Sequence, residues 1–351
     1  MAEYLFFKNK VIDNYMKLSK SFSELNDFEV FYSVKTNSCN FVLDTINELC
    51  SFEIVSKDEW NIVKKYKPRE IVLNGPSKNK ELLLDILDSG TETIYFNVDN
   101  DTDVSIIKKL EKKYLKHIKI GIRVFINKSE IWNRFGYDIE SQEFENVIKK
   151  LNSNIHGFHF HMSTNNFEIN NYINIIKKIK QCIIDYNFKI DFIDIGGGLP
   201  GSNDLIYYKA MYFELPEIMK NNFKKTKIIS EVGRNLVENS FLLKAQVVST
   251  KLIGSDTFNI SIDTNIMHFP CFWEKKFSVE YLKTKKFSEK VFYKINIFGN
   301  SCMQIDNIVN NLIVNSEPSV DDYVIINNIG AYSISQASNF ITDIPKVRMM
   351  V

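Results

Sequence analysis

The stretch FEVFYSVKTN, Phe28 to Asn37, runs apolar from Phe28 to Val34, stops on one lysine, Lys35, and turns polar at Thr36 and Asn37. A short apolar run closed by turn residues reads as a buried β-strand, here one that delivers a cation to its C-terminal end. On position alone a solvated lysine is the plainer reading, because Lys carries its ammonium to water. The rest of the chain argues for more.

From Phe28 onward, short apolar runs alternate with longer segments of helical period. The runs are 28–34, 52–55, 70–74, 93–98, 118–126, 155–161, 190–195 and 227–232. The helix-like segments are 40–50, 57–66, 79–89, 101–115, 139–151, 168–187 and 205–223. In one of them Ile173, Ile176, Ile179 and Ile183 recur three or four residues apart, which marks one face of a helix. Strands alternating with helices imply βα units and a parallel sheet. Eight such strands imply an α/β protein built on a closed (β/α)₈ TIM barrel rather than an open sheet. After about residue 240 the segments become strand-like, as in FLLKAQVVST, FNISID and VFYKINIFGN. The expected organisation is a barrel over residues 25–240 and a C-terminal all-β domain, a sandwich or barrel, of residues 241–351 joined by 1–24. The leading strand Tyr4–Phe7 needs such a sheet to complete it.

The 351 residues carry 44% hydrophobic and 25% charged side chains, an ordinary globular balance. A net charge of +1 favours neither nucleic acid nor an anionic membrane as partner. No apolar run is long enough to span a bilayer, and MAEYLFFKNKVIDNY lacks the pattern of a secretory signal. Cys39, Cys50, Cys182, Cys271 and Cys302 are odd in number and form no CxxC pair. Free thiols in a reducing, cytoplasmic setting are expected, with no metal site.

In barrels of this kind the working groups lie at the C-terminal strand ends. There the sequence places Lys35, Arg123, His159 and His161, Asp194 before Gly196-Gly197-Gly198, and Glu231 before Gly233-Arg234. Three glycines before a helix let backbone N–H groups approach an anion, although a plain tight turn is an equal reading. His159 and His161 point the same way from a strand. A metal is disfavoured because no third ligand follows at suitable spacing. Taken together, a lysine for a Schiff base, an anion cradle and a carboxylate for a pyridinium nitrogen suit one cofactor, pyridoxal 5′-phosphate.

With these motifs in hand, the chain resembles the fold-type III pyridoxal-phosphate decarboxylases of ornithine, arginine and diaminopimelate, which share the alanine racemase-like fold. Their YAVKAN is similar to Tyr32–Asn37, HFHVGS to His159–Thr164, DIGGGFPG to Asp194–Gly201 and EPGR to Glu231–Arg234. A later GPxC motif resembles Gly299–Cys302, and GAY matches Gly330–Tyr332. The resemblance implies that Lys35 holds the cofactor, His161 stacks on its ring and Glu231 pairs with its nitrogen. It implies that Gly197, Gly198, Gly233, Arg234, Tyr332 and Thr164 serve the phosphate. Cys302 would come from the second subunit of a head-to-tail homodimer and protonate the product carbon.

The departures from the family pattern bear on substrate. The acid that follows the cysteine in the family is Met303 here, and the substrate arginine of the diaminopimelate enzymes is replaced near His268 and Phe269. With Arg123, Met303 and His268 are the candidate substrate residues. The expected function is α-decarboxylation of an amino acid or an amino-acid-bearing intermediate, such as a 3-amino-3-carboxypropyl group, without a distal ammonium. The alternatives are a diaminopimelate- or ornithine-type decarboxylase of primary metabolism, a racemase on the same barrel, and a catalytically silent regulator.

Overall fold

The computed structural model describes residues 1–126, 134–151, 154–162, 167–202, 204–270, 277–284 and 291–350. The chain forms two compact units, one of Met1–Val11 with Val237–Val351 and one of Ile12–Leu236.

After a leading strand β1 (Glu3–Phe7), the central unit carries β2 (Phe28–Ser33), β3 (Ser51–Ile54), β4 (Glu70–Leu73), β5 (Thr93–Val98) and β6 (Ile118–Phe125). The short β7 (Tyr137–Asp138), then β8 (Gly157–His159), β9 (Phe192–Asp194) and β10 (Lys227–Val232) complete it. The order is β5-β4-β3-β2-β10-β9-β8-β6, all parallel, and a β5–β6 pairing closes the ring. This is the eight-stranded barrel that the alternating rhythm implies, with β7 added outside β6.

Successive strand residues face opposite ways, so alternate positions line the interior. Glu29, Phe31 and Ser33 on β2 fall at three levels, as do Lys227, Ile229 and Glu231 on β10. The middle level is an apolar cluster of Phe31, Val72, Tyr95, Phe192 and Ile229. Tyr95 meets Phe31 and Phe192 edge-on, at centroid distances of 5.6 and 5.0 Å. Phe192 fits because its neighbours are glycines. A Cβ on Gly157 would come within 2.4 Å of the Phe192 carbonyl oxygen, and one on Gly121 within 2.9 Å of its ring. Truncating such a buried ring to alanine typically costs about 3–5 kcal/mol.

The loops at the upper rim are fixed by helix caps. The Ser56 hydroxyl accepts from Glu59 N at 3.2 Å and the Glu59 carboxylate accepts from Val55 N at 2.6 Å, a reciprocal cap that starts helix Lys57–Val63. Asn79 and Asn100 likewise accept from the first-turn N–H groups of helices Lys80–Asp88 and Asp101–Lys108. Two expected helices are interrupted. The segment 101–115 splits into Asp101–Lys108 and Lys112–Leu115. In 205–223 a π-helical turn, Ala210–Glu214, precedes helix Leu215–Phe223. Pro216 explains the second case, since it has no N–H to complete an ordinary turn there.

The other unit is mainly antiparallel. β11 (Phe241–Leu252), β12 (Thr257–Ile262), β13 (Ser278–Leu282), β14 (Tyr293–Phe298), β15 (Asn307–Val314) and β16 (Tyr323–Asn327) pair in the order β13-β16-β11-β12-β14-β15. β1 joins β11 antiparallel and runs parallel to β17 (Lys346–Met350), so the leading strand does complete this sheet. β13 escaped the sequence reading because it is an edge strand with no buried residue to mark it.

Candidate active site

The opening stretch forms β2 as far as Ser33, then one 3₁₀ turn, Val34–Thr36. The turn lifts Lys35 out of the barrel wall, leaving its side chain 42% exposed. Its Nζ donates to Ser33 Oγ and to Glu53 Oε2, both at 2.7 Å. Glu53, on β3, is 1% exposed, and Ser33 also donates to it. A carboxylate buried this deeply needs its cation and its donors, and here it has both.

Glu231, one residue before the end of β10, lies on the inner face and is 5% exposed. Asn74, just past β4, donates to Glu231 Oε1 and to Glu53 Oε1. Asn97 on β5 donates to Asn74 Oδ1 and to Asp194 Oδ2, each at 3.0 Å. Asp194 Oδ1 accepts from Gly196 N at 2.9 Å. One hydrogen-bonded lattice therefore runs from Lys35 to the glycine loop. Burial would raise the Glu231 carboxyl, but His159, Asp194 and Lys35 outweigh it and hold the group well below its usual range. Burial and the Glu231 charge push its neighbour Asp194 the other way, well above the usual range. The pair thus keeps its negative charge on Glu231.

His159 and His161 project from the end of β8. His159 Nε2 lies 3.5 Å from Glu231 Oε1, and neither ring nitrogen of this buried residue has a hydrogen-bond partner. His161 Nδ1 accepts from Gly197 N at 3.2 Å, which leaves any ring proton on Nε2. Burial, then Arg123, depresses the His161 pKa to about 3, so its ring is neutral. Arg123 on β6 is largely buried, 3.8 Å from Asp99 and stacked over Phe135 at 4.9 Å. Burial works against its charge, and the Asp99 and Glu231 carboxylates support it.

The glycine loop has no room for side chains. Gly196 and Gly198 adopt φ of 66° and 82°, where Cβ atoms are strained. A Cβ on Gly197 would lie 2.4 Å from the Glu231 carbonyl oxygen. Gly233 presses on the Lys35 turn, and its Cβ would fall 2.0 Å from Thr36 Oγ1. Arg234 follows at once, opening helix Arg234–Val237.

The barrel unit thus brings together Lys35, Arg123, His161, Gly197 and Glu231, with Gly198, Gly233 and Arg234 on adjoining turns. The remaining candidates belong to the β unit. Cys302 is exposed and Met303 half-exposed in a loop tied down by Asp306, which accepts from Ser301 N at 2.9 Å and Ile266 N at 3.0 Å. Tyr332 has a left-handed backbone, φ 64°. His268 is 1% exposed, with Nδ1 2.9 Å from Thr264 Oγ1 and Nε2 3.4 Å from the Thr342 carbonyl oxygen, so its imidazole is engaged inside the unit. Thr164, and with it Ser163 and Cys271, lies outside the described residues.

The barrel residues fit pyridoxal phosphate: an accessible amine on a buried counter-ion, an ionised inner carboxylate, a neutral imidazole beside it and a loop stripped to backbone. The family model described as "Pyridoxal-dependent decarboxylase, pyridoxal binding domain" matches residues 9–238. The chain belongs to the pyridoxal-dependent decarboxylases. It is accordingly a pyridoxal 5′-phosphate-dependent carboxy-lyase. Diaminopimelate decarboxylase of Aquifex aeolicus (strain VF5) is 27% identical over 96% of this chain and 83% of its own length. Ornithine decarboxylase of Cricetulus griseus is 25% identical, over 88% of this chain and 72% of its own. The arginine decarboxylase of Paramecium bursaria Chlorella virus superposes with a TM-score of 0.83 at 20% identity, covering 99% of this chain and 96% of that one, and so shares the fold. Among the described residues, no helix of this decarboxylase is long and apolar enough to cross a membrane.

Sequence reasoning about this decarboxylase passed over Ser33, Glu53, Asn74 and Asn97 as site residues. Each is a polar side chain at an inward position of a buried strand or one residue beyond it. Counting back two from Lys35 puts Ser33 on the same inward face, and the register Ser33–Glu53 and Glu53–Val72 then carries that face across to Glu53 and, two residues past Val72, to Asn74.

Proposed function

We propose that this carboxy-lyase removes the α-carboxylate of an amino acid, or of the amino-acid end of a larger intermediate, that carries no distal ammonium. The observation that carries the decarboxylation is Glu231, a carboxylate buried on the inner face of the barrel that accepts from Asn74 and has His159 Nε2 at 3.5 Å. Bound pyridoxal phosphate supplies the electron sink, and a carboxylate at its ring nitrogen keeps that nitrogen protonated. Racemases of this fold place an arginine there, which weakens the sink. Lys35 Nζ, steered by Ser33 and Glu53, is the amine that attaches the cofactor. His161, neutral and held by the Gly197 N–H, stacks on the ring without adding charge. Gly197, Gly198, Gly233, Arg234, Tyr332 and Thr164 hold the phosphate.

The active enzyme is a head-to-tail homodimer in the cytoplasm, in which Cys302 of the partner subunit protonates the carbon that has lost CO₂. Its loop supports this role, because Asp306 accepts from Ser301 N on one side of the thiol and donates its own N–H to the Met303 carbonyl oxygen on the other, with the thiol exposed. The substrate reading rests on Met303. A thioether offers nothing to an ammonium, and an unpaired buried cation is costly. A screen of amino acids and amino-acid-bearing intermediates for CO₂ release, read by mass spectrometry, tests it. Turnover is expected only for compounds without a distal ammonium. Good turnover of ornithine, lysine or diaminopimelate would return the enzyme to primary metabolism, the second reading, which the Aquifex relative favours.

A further inference from the structure

Asn74 is 6% exposed and stands between the two working ends of the pocket. Its Nδ2 donates to Glu53 Oε1 at 3.2 Å and to Glu231 Oε1. An amide nitrogen has two protons, so both are used, one on each carboxylate. Its Oδ1 accepts from Asn97 Nδ2 at 3.0 Å. The reversed amide would set an oxygen against two carboxylates and a nitrogen against a nitrogen. Asn97 therefore fixes the orientation of Asn74, while its own second bond, to Asp194 Oδ2, anchors it to the glycine-loop strand.

We propose that Asn74 is a positioning residue that links the carboxylate holding Lys35 to the carboxylate facing the cofactor ring. Through one nitrogen it stabilises the ionised form of Glu53 and of Glu231 together, and it fixes the distance between them. The two ends of the cofactor, amine and ring nitrogen, are then tuned as a unit. In a low-dielectric pocket each bond to a charged group counts for more than it does in water. The family roles leave this residue unassigned. The inference rests on the placing of Lys35 and Glu231 at the cofactor.

The test uses the full chain, freed of cofactor and titrated with pyridoxal 5′-phosphate. It reads the affinity and the pH midpoint of the visible absorbance band. Asn74→Asp keeps the shape but swaps a double donor for a third carboxylate. Asn74→Leu removes both bonds. Each deprives Glu53 of the Asn74 donor on Oε1 or adds charge beside it, which favours the protonated nitrogen at Lys35. The midpoint is expected to move upward by about one unit, a tenfold change in proton concentration. Affinity is expected to fall roughly tenfold, the weight of one hydrogen bond to a charged group. Asn97→Leu, which frees the orientation of Asn74, should move the midpoint the same way by less. A residue that only fills space would lower the unfolding temperature and leave the midpoint alone. If Asn74→Leu does not fold, the isosteric Asn74→Asp and the smaller Asn74→Ser decide the matter. Folded variants with the original midpoint and affinity overturn the inference. Borohydride reduction and peptide mass separate this failure from a deeper one. If the label is not on Lys35, the reading of the site itself has failed; if it is, only the role of Asn74 has.

Discussion

At the scale of single residues the site is organised by where charge is allowed to rest. Glu231 is buried yet held in its ionised form by His159, Asp194 and Lys35. Replacing it by glutamine leaves the hydrogen bond from Asn74 possible but removes the charge. Turnover of Glu231→Gln is expected to fall by about ten- to a hundredfold, the usual weight of a charge-assisted bond, with the cofactor still attached. Steady-state CO₂ release together with the visible spectrum checks this, and an unchanged kcat would remove Glu231 from the chemistry. His161 gives a second test, in stability. Folded, it gains a proton only near pH 3, whereas the unfolded side chain does so near 6.5. Between those values the native state binds fewer protons, so stability declines as pH falls through the window. His161→Phe should remove up to one proton from that slope, up to about 1.4 kcal/mol per pH unit. Denaturant midpoints of both proteins between pH 3 and 6.5 give the difference, and parallel curves would mean that His161 titrates normally.

At the scale of elements, what decides the site is how each strand ends. β2 gives way to one tight turn that frees Lys35, and β10 gives way to Gly233, whose missing Cβ leaves room for Thr36. The barrel strands were legible because each is an apolar run, and the glycine loop, which alone reads equally as a plain tight turn, was legible only beside the lysine, histidines and carboxylate of the same rim. Glu53 and Asn74 were not, because a polar residue inside a strand looks like a surface residue until the register with its neighbours is known. β3 and β4 are only four residues each, too short for alternation to show. The β unit repeats the theme in the loop that carries Cys302. Asp306 accepts from Ser301 N, Ser301 Oγ and Ile266 N, and a Cβ on Gly299 would sit 2.3 Å from its carboxylate. Asp306→Ala strands two backbone donors, and about 1–3 kcal/mol of stability should go with each donor that water cannot reach. Urea unfolding measures that loss, and CO₂ release should fall with it if the loop positions the thiol. Full activity in the destabilised variant would separate Cys302 from catalysis.

Over the whole barrel, polar groups occupy both ends and an apolar layer divides them. Above Phe31, Tyr95, Phe192 and Ile229 lies the lattice from Lys35 to Asp194; below lies Lys227 between Glu29 and Glu70. In barrels of this class the upper end carries chemistry and the lower end stability, so the lower cluster should affect folding and leave turnover alone. Burial lifts Glu29 to about 7 even with Lys227 beside it, and Glu70 adds repulsion. A carboxyl raised in this way favours its protonated form in the folded state. Its contribution is complete below its usual value of 4.5 and is lost as pH rises through about 7. Removing the cation should sharpen that dependence. Lys227→Met leaves two carboxylates facing each other, and the cost should be about 1–3 kcal/mol at pH 8 and smaller at pH 5. This sits below the range for fully buried pairs because Glu29 and Glu70 keep 32% and 28% of their side chains exposed. Replacing Lys227, Glu29 and Glu70 together by Met, Leu and Leu should recover most of the loss, because an apolar plug needs no counter-charge. Urea midpoints at the two pH values decide the point. An equal loss at both would mean that Lys227 acts through packing on Tyr95, over whose ring its ammonium lies at 5.2 Å, and that the charges below the barrel are already satisfied by water.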